Sequence, residues 1–185
     1  MLHSNLFTAP MSAHDVFFVQ SPQEGTTVMR MHVEIIDAKT DSDFTQARML
    51  FEEYAAELAV DLCFQNFEDE LQNIRSIYSA PSGCLLLARA GTTISGCVAY
   101  RPFQDATCEM KRLYVRPSAR GADVGRRLAV ELIRRARAAG YTKMLLDTLK
   151  SLKAAHSLYQ SLGFREVEPY YANPLNDVVY MELNL

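Results

Sequence analysis

The chain predicts a single mixed α/β domain of the α+β type, and three observations carry that reading. At 185 residues, with 49% hydrophobic and 22% charged side chains, it has the length and balance of one globular core, which excludes a disordered or fibrous chain. The hydrophobic patterns follow the order strand, helix, helix, three strands, helix, strand, helix, two strands. Within that order, residues 107–148 form a strand–helix–strand unit, whose crossover is right-handed and whose two strands run parallel.

The elements follow in order. His32–Asp37 alternates as a first strand. Asp41-Ser-Asp43 opens a helix with acids at its positive end, and Phe44, Ala47, Leu50, Phe51, Tyr54 and Leu58 recur at helical spacing. A second helix is expected from Phe67, capped by Asn66, with Leu71, Ile74, Ile77 and Tyr78 on one face. Pro81-Ser-Gly83 breaks it. Cys84-Leu-Leu-Leu-Ala, the turn Ala90-Gly91-Thr92-Thr93 and Ile94–Tyr100 make a hairpin, and Thr107–Val115 is a longer strand with interleaved charges. After the loop Pro117–Ala122, Asp123–Ala139 is a helix with Val124, Leu128, Leu132, Ile133 and Ala136 inward, ended by Gly140. Lys143–Thr148 is a buried strand and Ala154–Leu162 a helix stopped by Gly163; Phe164–Glu168 and Val178–Leu183 complete the sheet.

Several function classes drop out. No run approaches the ~18 apolar residues of a membrane span, so no membrane partner is expected. Cys63, Cys84, Cys97 and Cys108 form no C-x-x-C and have no His at ligand spacing, so no metal site is expected. They read as free thiols in a reducing, cytoplasmic setting. Residues 1–28 carry neither the charged and apolar regions of a signal peptide nor the arginines of a transit peptide. They read as a loosely ordered extension before a domain at 29–185.

The charge distribution is lopsided. Residues 31–80 hold three Lys/Arg against 11 Asp/Glu, a net of −8, whereas residues 111–165 hold 13 Lys/Arg against three Asp/Glu, a net of +10. Two readings stay open: solvated helix faces of opposite sign, or one half that binds an anion and another that attracts a cation. Nucleic acid is not an expected partner, because no aromatic residues interleave with the basic surface.

The most informative stretch runs from Leu113 to Leu128, joining a strand to the start of an arginine-rich helix through Arg120-Gly121-Ala-Asp123-Val-Gly125-Arg126. Glycine lets backbone approach a ligand closely, and a helix start offers unpaired N–H groups with partial positive charge, which suits phosphate. A P-loop needs four residues between its glycines and then Lys-Ser/Thr; here three intervene and Arg126-Arg127 follows. A Rossmann fingerprint needs three glycines directly after the strand, and only 38 residues follow Asp147, too few for the remaining units.

Arg120-Gly-Ala-Asp-Val-Gly125 resembles the Arg/Gln-x-x-Gly-x-Gly/Ala signature of the GNAT superfamily of acyl-CoA-dependent N-acyltransferases. Met110–Val115 is similar to that family's fourth strand, and Ala155-His-Ser-Leu-Tyr159-Gln-Ser-Leu-Gly163-Phe164 to its second motif, Ala-x-x-Leu/Phe-Tyr-x-x-x-Gly-Phe. The resemblance covers roughly residues 33–185. Two positions depart from the pattern. Asp123 stands at the family's middle glycine, a residue type that tolerates left-handed backbone and can cap a helix. Leu152 stands where an Asn is common, seven residues before the tyrosine.

The resemblance implies a mostly antiparallel sheet whose central parallel pair splays around the cofactor, with helices on both faces. It implies acetyl-CoA as co-substrate, an amine as acceptor and, by family habit, a homodimer. Carried over, Leu113, Tyr114 and Val115 offer backbone to pantetheine. The backbone of Gly121, Ala122, Asp123, Val124, Gly125 and Arg126 holds the pyrophosphate, and Arg120, Arg126 and Lys153 are candidates for the remaining phosphates. Tyr159 matches the tyrosine that protonates the leaving thiolate. Glu109, a carboxylate among apolar strand residues, is a candidate base, with an ordinary ion pair to Lys111 or Arg112 as the competing reading. A base is needed because a lysine-like amine is neutral in only about one molecule in 2500 at pH 7. His156 ranks lower, and no Cys or Ser has the company of an acyl-enzyme nucleophile, so direct transfer is expected. Glu52, Glu53, Glu57, Asp61, Glu68, Asp69, Glu70 and the aromatic loop Pro169–Pro174 are expected to wall the acceptor side and suit a cationic amine. The alternative is a catalytically idle domain that binds acyl-CoA and regulates a partner.

Overall fold

A computed structural model of the chain describes residues 33–58 and 66–185. The expectations for residues 1–28, His32, Asp61 and Cys63 lie outside them. β1 (Val33–Asp37) leads into α1 (Asp41–Leu58), α2 (Phe67–Gln72) and α3 (Ile74–Tyr78), then β2 (Cys84–Ala90), β3 (Thr93–Pro102) and β4 (Thr107–Val115). A 3-10 turn at Pro117–Ala119 precedes α4 (Val124–Ala138), β5 (Lys143–Leu149), α5 (Lys153–Ser161), β6 (Arg165–Val167) and β7 (Val178–Asn184). The strands form one seven-stranded sheet in the order β1-β2-β3-β4-β5-β7-β6, antiparallel at every step except β4–β5. None of the described helices is long and apolar enough to cross a membrane.

Helices cover both faces, as expected, and each face has its own core. On one, Val124, Leu128, Leu132 and Ala136 of α4 pack against Leu86, Val98, Met110, Met144 and Leu146, with Tyr159 and Phe164 alongside. On the other, Phe44, Ala47, Leu50 and Phe51 of α1 join Ile74, Tyr78, Leu85, Leu87 and Tyr114. The start of α1 is fixed by a reciprocal cap: Asp43 accepts from the backbone N–H groups of Lys39 and Thr40, while Thr40 Oγ1 accepts from the Asp43 N–H.

Three local expectations change. The second helix is two short ones, broken at Asn73. Asn66 makes no side-chain cap; it lies in left-handed backbone (φ 55°), a conformation Asn accepts more readily than most residues. Asp123 also sits in left-handed backbone (φ 60°), as the departure from glycine allows, but its carboxylate makes no capping hydrogen bond, and α4 begins one residue later than expected.

Candidate active site

The site is created by a failure of pairing. β4 and β5 are in register only from Thr107–Lys143 to Glu109–Leu145, yet β4 continues to Val115 and β5 to Leu149. Beyond Glu109 the two strands separate, leaving the β5-facing edge of β4 without a strand partner. The divergence coincides with a β-bulge. Cys97 pairs with Tyr114 and Ala99 with Lys111, so β4 carries an extra residue there, and Arg112 takes φ 58°. After the bulge, Leu113 and Val115 pack on the α4 core and Tyr114 on the α1 core. Opposite it, Gly96 is obligatory: a Cβ there would lie 2.7 Å from the Tyr114 carbonyl oxygen.

Two cavities fill the divergence. An outer one of about 660 Å³ is lined by Leu113, Tyr114, Val115 and Arg120 on one side and by Leu149, Leu152 and Lys153 on the other. It shares Tyr54, Leu113, Leu149 and Ala155 with a narrow inner one of about 60 Å³, walled by Met110, Lys111, Asp147 and Tyr159. Tyr159 is buried against Phe164, and burial drives its hydroxyl well above the ordinary tyrosine range; that hydroxyl has no hydrogen-bond partner among the described residues. Tyr54, on the α1 side of the cleft, is likewise pushed up to about 12 by burial.

At the mouth, Gly121 (φ 81°) turns the chain in open space, and the first three N–H groups of α4, from Val124, Gly125 and Arg126, have no intrahelical acceptor. Side chains brace this loop from behind. Arg116 forks onto Glu53; Arg120 donates from Nη2 to both Glu57 oxygens, at 2.6 and 2.7 Å, and from Nε to the Val115 carbonyl. Arg126 donates to Ser161 Oγ. Of the three phosphate candidates, Arg120 and Arg126 therefore have protein partners, and Lys153 has no ion-pair partner among the described residues.

The charge asymmetry resolves here. Glu53, Glu57, Glu70 and Asp37 of the acidic half pair with Arg116, Arg120, Arg112 and Arg135 of the basic half. Part of the charge is thus spent between the halves, in pairs that neither reading included. Glu70 and Arg112 are both buried, joined by two hydrogen bonds, with the Tyr78 hydroxyl donating to Glu70 at 2.7 Å. Burial works to raise the Glu70 carboxyl, but the Arg112 guanidinium overcomes it and holds the carboxyl below its ordinary range. Glu53, Glu57 and Glu70 are thus committed to arginines rather than presented to an acceptor.

Glu109 is 2% exposed, and its setting differs from the expected apolar one. Cys108 and Met110 face the α4 core, while Glu109 and Lys111 share the opposite, polar side. Arg101 Nε and Nη2 both reach Glu109 Oε2, at 2.9 and 2.8 Å; Tyr170 donates to Oε1 at 3.2 Å, and Lys111 Nζ lies 3.6 Å from it. Of the two ion-pair partners weighed, Lys111 is present and Arg112 is not. Lys111 also donates to Asp147 at 3.0 Å, and Tyr171 donates to the other Asp147 oxygen. Burial opposes the Asp147 charge, yet Lys111 and Tyr171 hold its carboxyl below the ordinary range. His156 lies apart, paired with Glu166. Sequence reasoning gave no role at the cleft to Arg101, Tyr54 or Asp147; a charge on an otherwise apolar strand was the available signal for the last. No cluster of three or more His, Cys, Asp or Glu side chains suited to a metal occurs among the described residues.

This combination of a split parallel pair, a bulged strand and a glycine-containing loop at a helix start defines an acyl-CoA-type transferase fold. The family model of the acetyltransferase (GNAT) family matches residues 45–164, and the chain belongs to that family. It is 46% identical over 157 residues to an uncharacterized N-acetyltransferase of Schizosaccharomyces pombe, covering 83% of this chain and 96% of the relative. An acetyltransferase of Streptococcus agalactiae superposes with a TM-score of 0.69 at 23% identity, over 83% of this chain and 98% of that one. A Salmonella typhimurium protein described as a putative acetyltransferase with its cofactor acetyl-CoA superposes at 0.61 and 20% identity, over 82% and 93%.

Proposed function

We propose that the protein transfers the acetyl group of acetyl-CoA to a primary amine by direct attack, without an acyl-enzyme. The observation that carries this is the separation of β4 from β5 beyond Glu109, with a cleft between them that Arg120 of the loop lines at one end and the buried Tyr159 at the other. The β5-facing edge of Leu113, Tyr114 and Val115 offers a strand-like partner to pantetheine; the backbone from Gly121 to Arg126 receives the pyrophosphate, and Lys153 contributes charge at the rim. The Salmonella neighbour with acetyl-CoA supports the choice of donor.

The thioester supplies an activated acetyl group. The amine nitrogen bonds to its carbonyl carbon, the C–S bond breaks, and the thiolate takes a proton. Tyr159 holds that proton, because burial keeps its hydroxyl protonated at working pH. Backbone N–H groups of β4 donate to the carbonyl oxygen as it gains charge. Glu109 takes the amine's surplus proton, directly or through water. The free thiols Cys84, Cys97 and Cys108 support a cytoplasmic, reducing setting.

The test is amine-dependent release of free thiol from acetyl-CoA across a broad amine library. Release above the no-amine rate supports transfer. Acetyl-CoA binding with no amine-dependent release contradicts it and favours an idle, regulatory acyl-CoA binder.

A further inference from the structure

A third cavity, a groove of about 650 Å³, meets the inner cleft at Lys111, which lines both. It opens between the α2–α3 segment and the strands, and its walls are unlike in charge. Arg101, Glu109 and Lys111 stand on the strand side; Asn66, Asp69 and Asn73 stand on the helical side. The acid of this groove nearest the cleft, Glu109, is already held by Arg101, Lys111 and Tyr170. Arg101 itself is not exhausted. Both of its bonds run from Nε and Nη2 to a single Glu109 oxygen, its side chain is 35% exposed, and Nη1 has no partner among the described residues. A planar guanidinium with spare N–H groups at the edge of a groove matches a carboxylate better than it matches an ammonium ion.

From this we infer that the acceptor is a short amino-carboxylate, an α-amino acid or a close analogue, whose carboxylate is received by Arg101 while its amine reaches the cleft beside Lys111. The inference rests on the acetyl-transfer reading and adds the substrate class. Spacing supports it: Arg101 and Lys111 contact opposite oxygens of the one Glu109 carboxylate, at 2.8 and 3.6 Å, so the two cationic heads flank a single carboxylate at the junction of groove and cleft. An α-amino acid places one carbon between its amine and its acid. Asp69, exposed on the opposite wall, complements the ammonium form on entry. A wholly cationic acceptor, such as a diamine, instead sets a second ammonium group against Arg101, where the amino acid sets its carboxylate, which disfavours it.

The test uses the full chain with CoA present and titrates matched pairs, each common α-amino acid against its own primary amide, together with a set of diamines, read by calorimetry. At least one acid should bind about 10- to 100-fold more tightly than its amide, the range for a charge-assisted pair. Arg101→Gln should erase that gap. Arg101→Lys, which keeps a charge beside Glu109 and guards against misfolding of the first variant, should retain only part of it. Equal binding of acids and amides, no binding of any acid, a gap that survives Arg101→Gln, or tighter binding of a diamine overturns the inference. The two readings fail separately. Thiol release with diamines but no preference for acids keeps acetyl transfer and removes the substrate class. A preference for acids without CoA binding or thiol release keeps the groove and removes the transfer.

Discussion

The two sides of β4 are built by different means. Toward the α4–α5 side, the half proposed to hold the cofactor is made of backbone: a strand edge at Leu113–Val115 that β5 does not pair, N–H groups at the start of α4 without intrahelical acceptors, and Gly121 in left-handed backbone. Toward the α1–α3 side, the groove is made of side chains: Arg101–Glu109 joins neighbouring strands, while Glu70–Arg112 and Lys111–Asp147 join residues 42 and 36 positions apart in sequence. Under the proposed function, backbone would recognise what every acyl-CoA shares, and side chains what differs between acceptors. The first half can therefore follow a short motif, while the second has to be assembled by the fold.

Substitutions on the two sides should fail in different ways. The largest effect is expected from Glu70→Ala, which strands the buried Arg112 charge; unfolding in denaturant should show a loss of about 3–5 kcal/mol. A loss below about 1 kcal/mol would mean that the pair is as dispensable as a surface one. On the side proposed for the cofactor, Gly125→Glu should leave the fold intact and weaken CoA binding by at least ~100-fold in calorimetry, since bulk and negative charge enter the proposed pyrophosphate site. The Gly125 position itself has room for a Cβ, with Val115 and Leu158 at 3.7 and 3.9 Å, so Gly125→Ala should fold normally.

A smaller effect comes from pH. Glu70 and Asp147 are held below their unfolded values, so each binds its proton more readily in the unfolded chain. Their contribution to stability is present above the ordinary carboxylate range and is lost as pH falls through about 4 and below. Acid unfolding should be shallower in Glu70→Gln than in the wild type. The smallest effect is expected from Asp123→Gly. It removes a non-glycine residue from φ 60° and a carboxylate from the phosphate loop, while giving up a surface pair to Arg126 at 3.6 Å. Stability should hold or rise by up to ~1 kcal/mol, and CoA affinity should hold or improve. A clear loss of affinity would show that the aspartate takes part in binding.

The sequence was most legible where its signals are local. Helical spacing located the buried face of α4, Gly140 and Gly163 marked helix ends in left-handed backbone, and the loop before α4 could be placed from one continuous stretch, Arg120 to Gly125. It was less legible where backbone departs from its usual residue. Nothing about an arginine announces the left-handed bulge at Arg112, and Asn66 reads as a side-chain cap although the structure uses it for its backbone. The α1–α3 side was legible only as composition. The acids of α1 and α2 were visible, but their partners lie 42 residues away for Glu70 and 63 for Glu53 and Glu57, so spacing could not show that arginines hold them. For the same reason Glu109 read as a carboxylate in apolar surroundings: its neighbours in sequence face the other core.

The most direct test of acetyl transfer at the split strand pair is turnover of Tyr159→Phe on the best acceptor found, measured beside its affinity for CoA. The ring and its packing against Phe164 are kept, and the Tyr159 hydroxyl in the inner cleft is lost. CoA affinity should be unchanged and kcat should fall by about 10²-fold, with partial rescue by an acetyl thioester of a more acidic thiol, which needs less help in leaving. Unchanged turnover in the variant would contradict the account and move the chemistry away from this cleft.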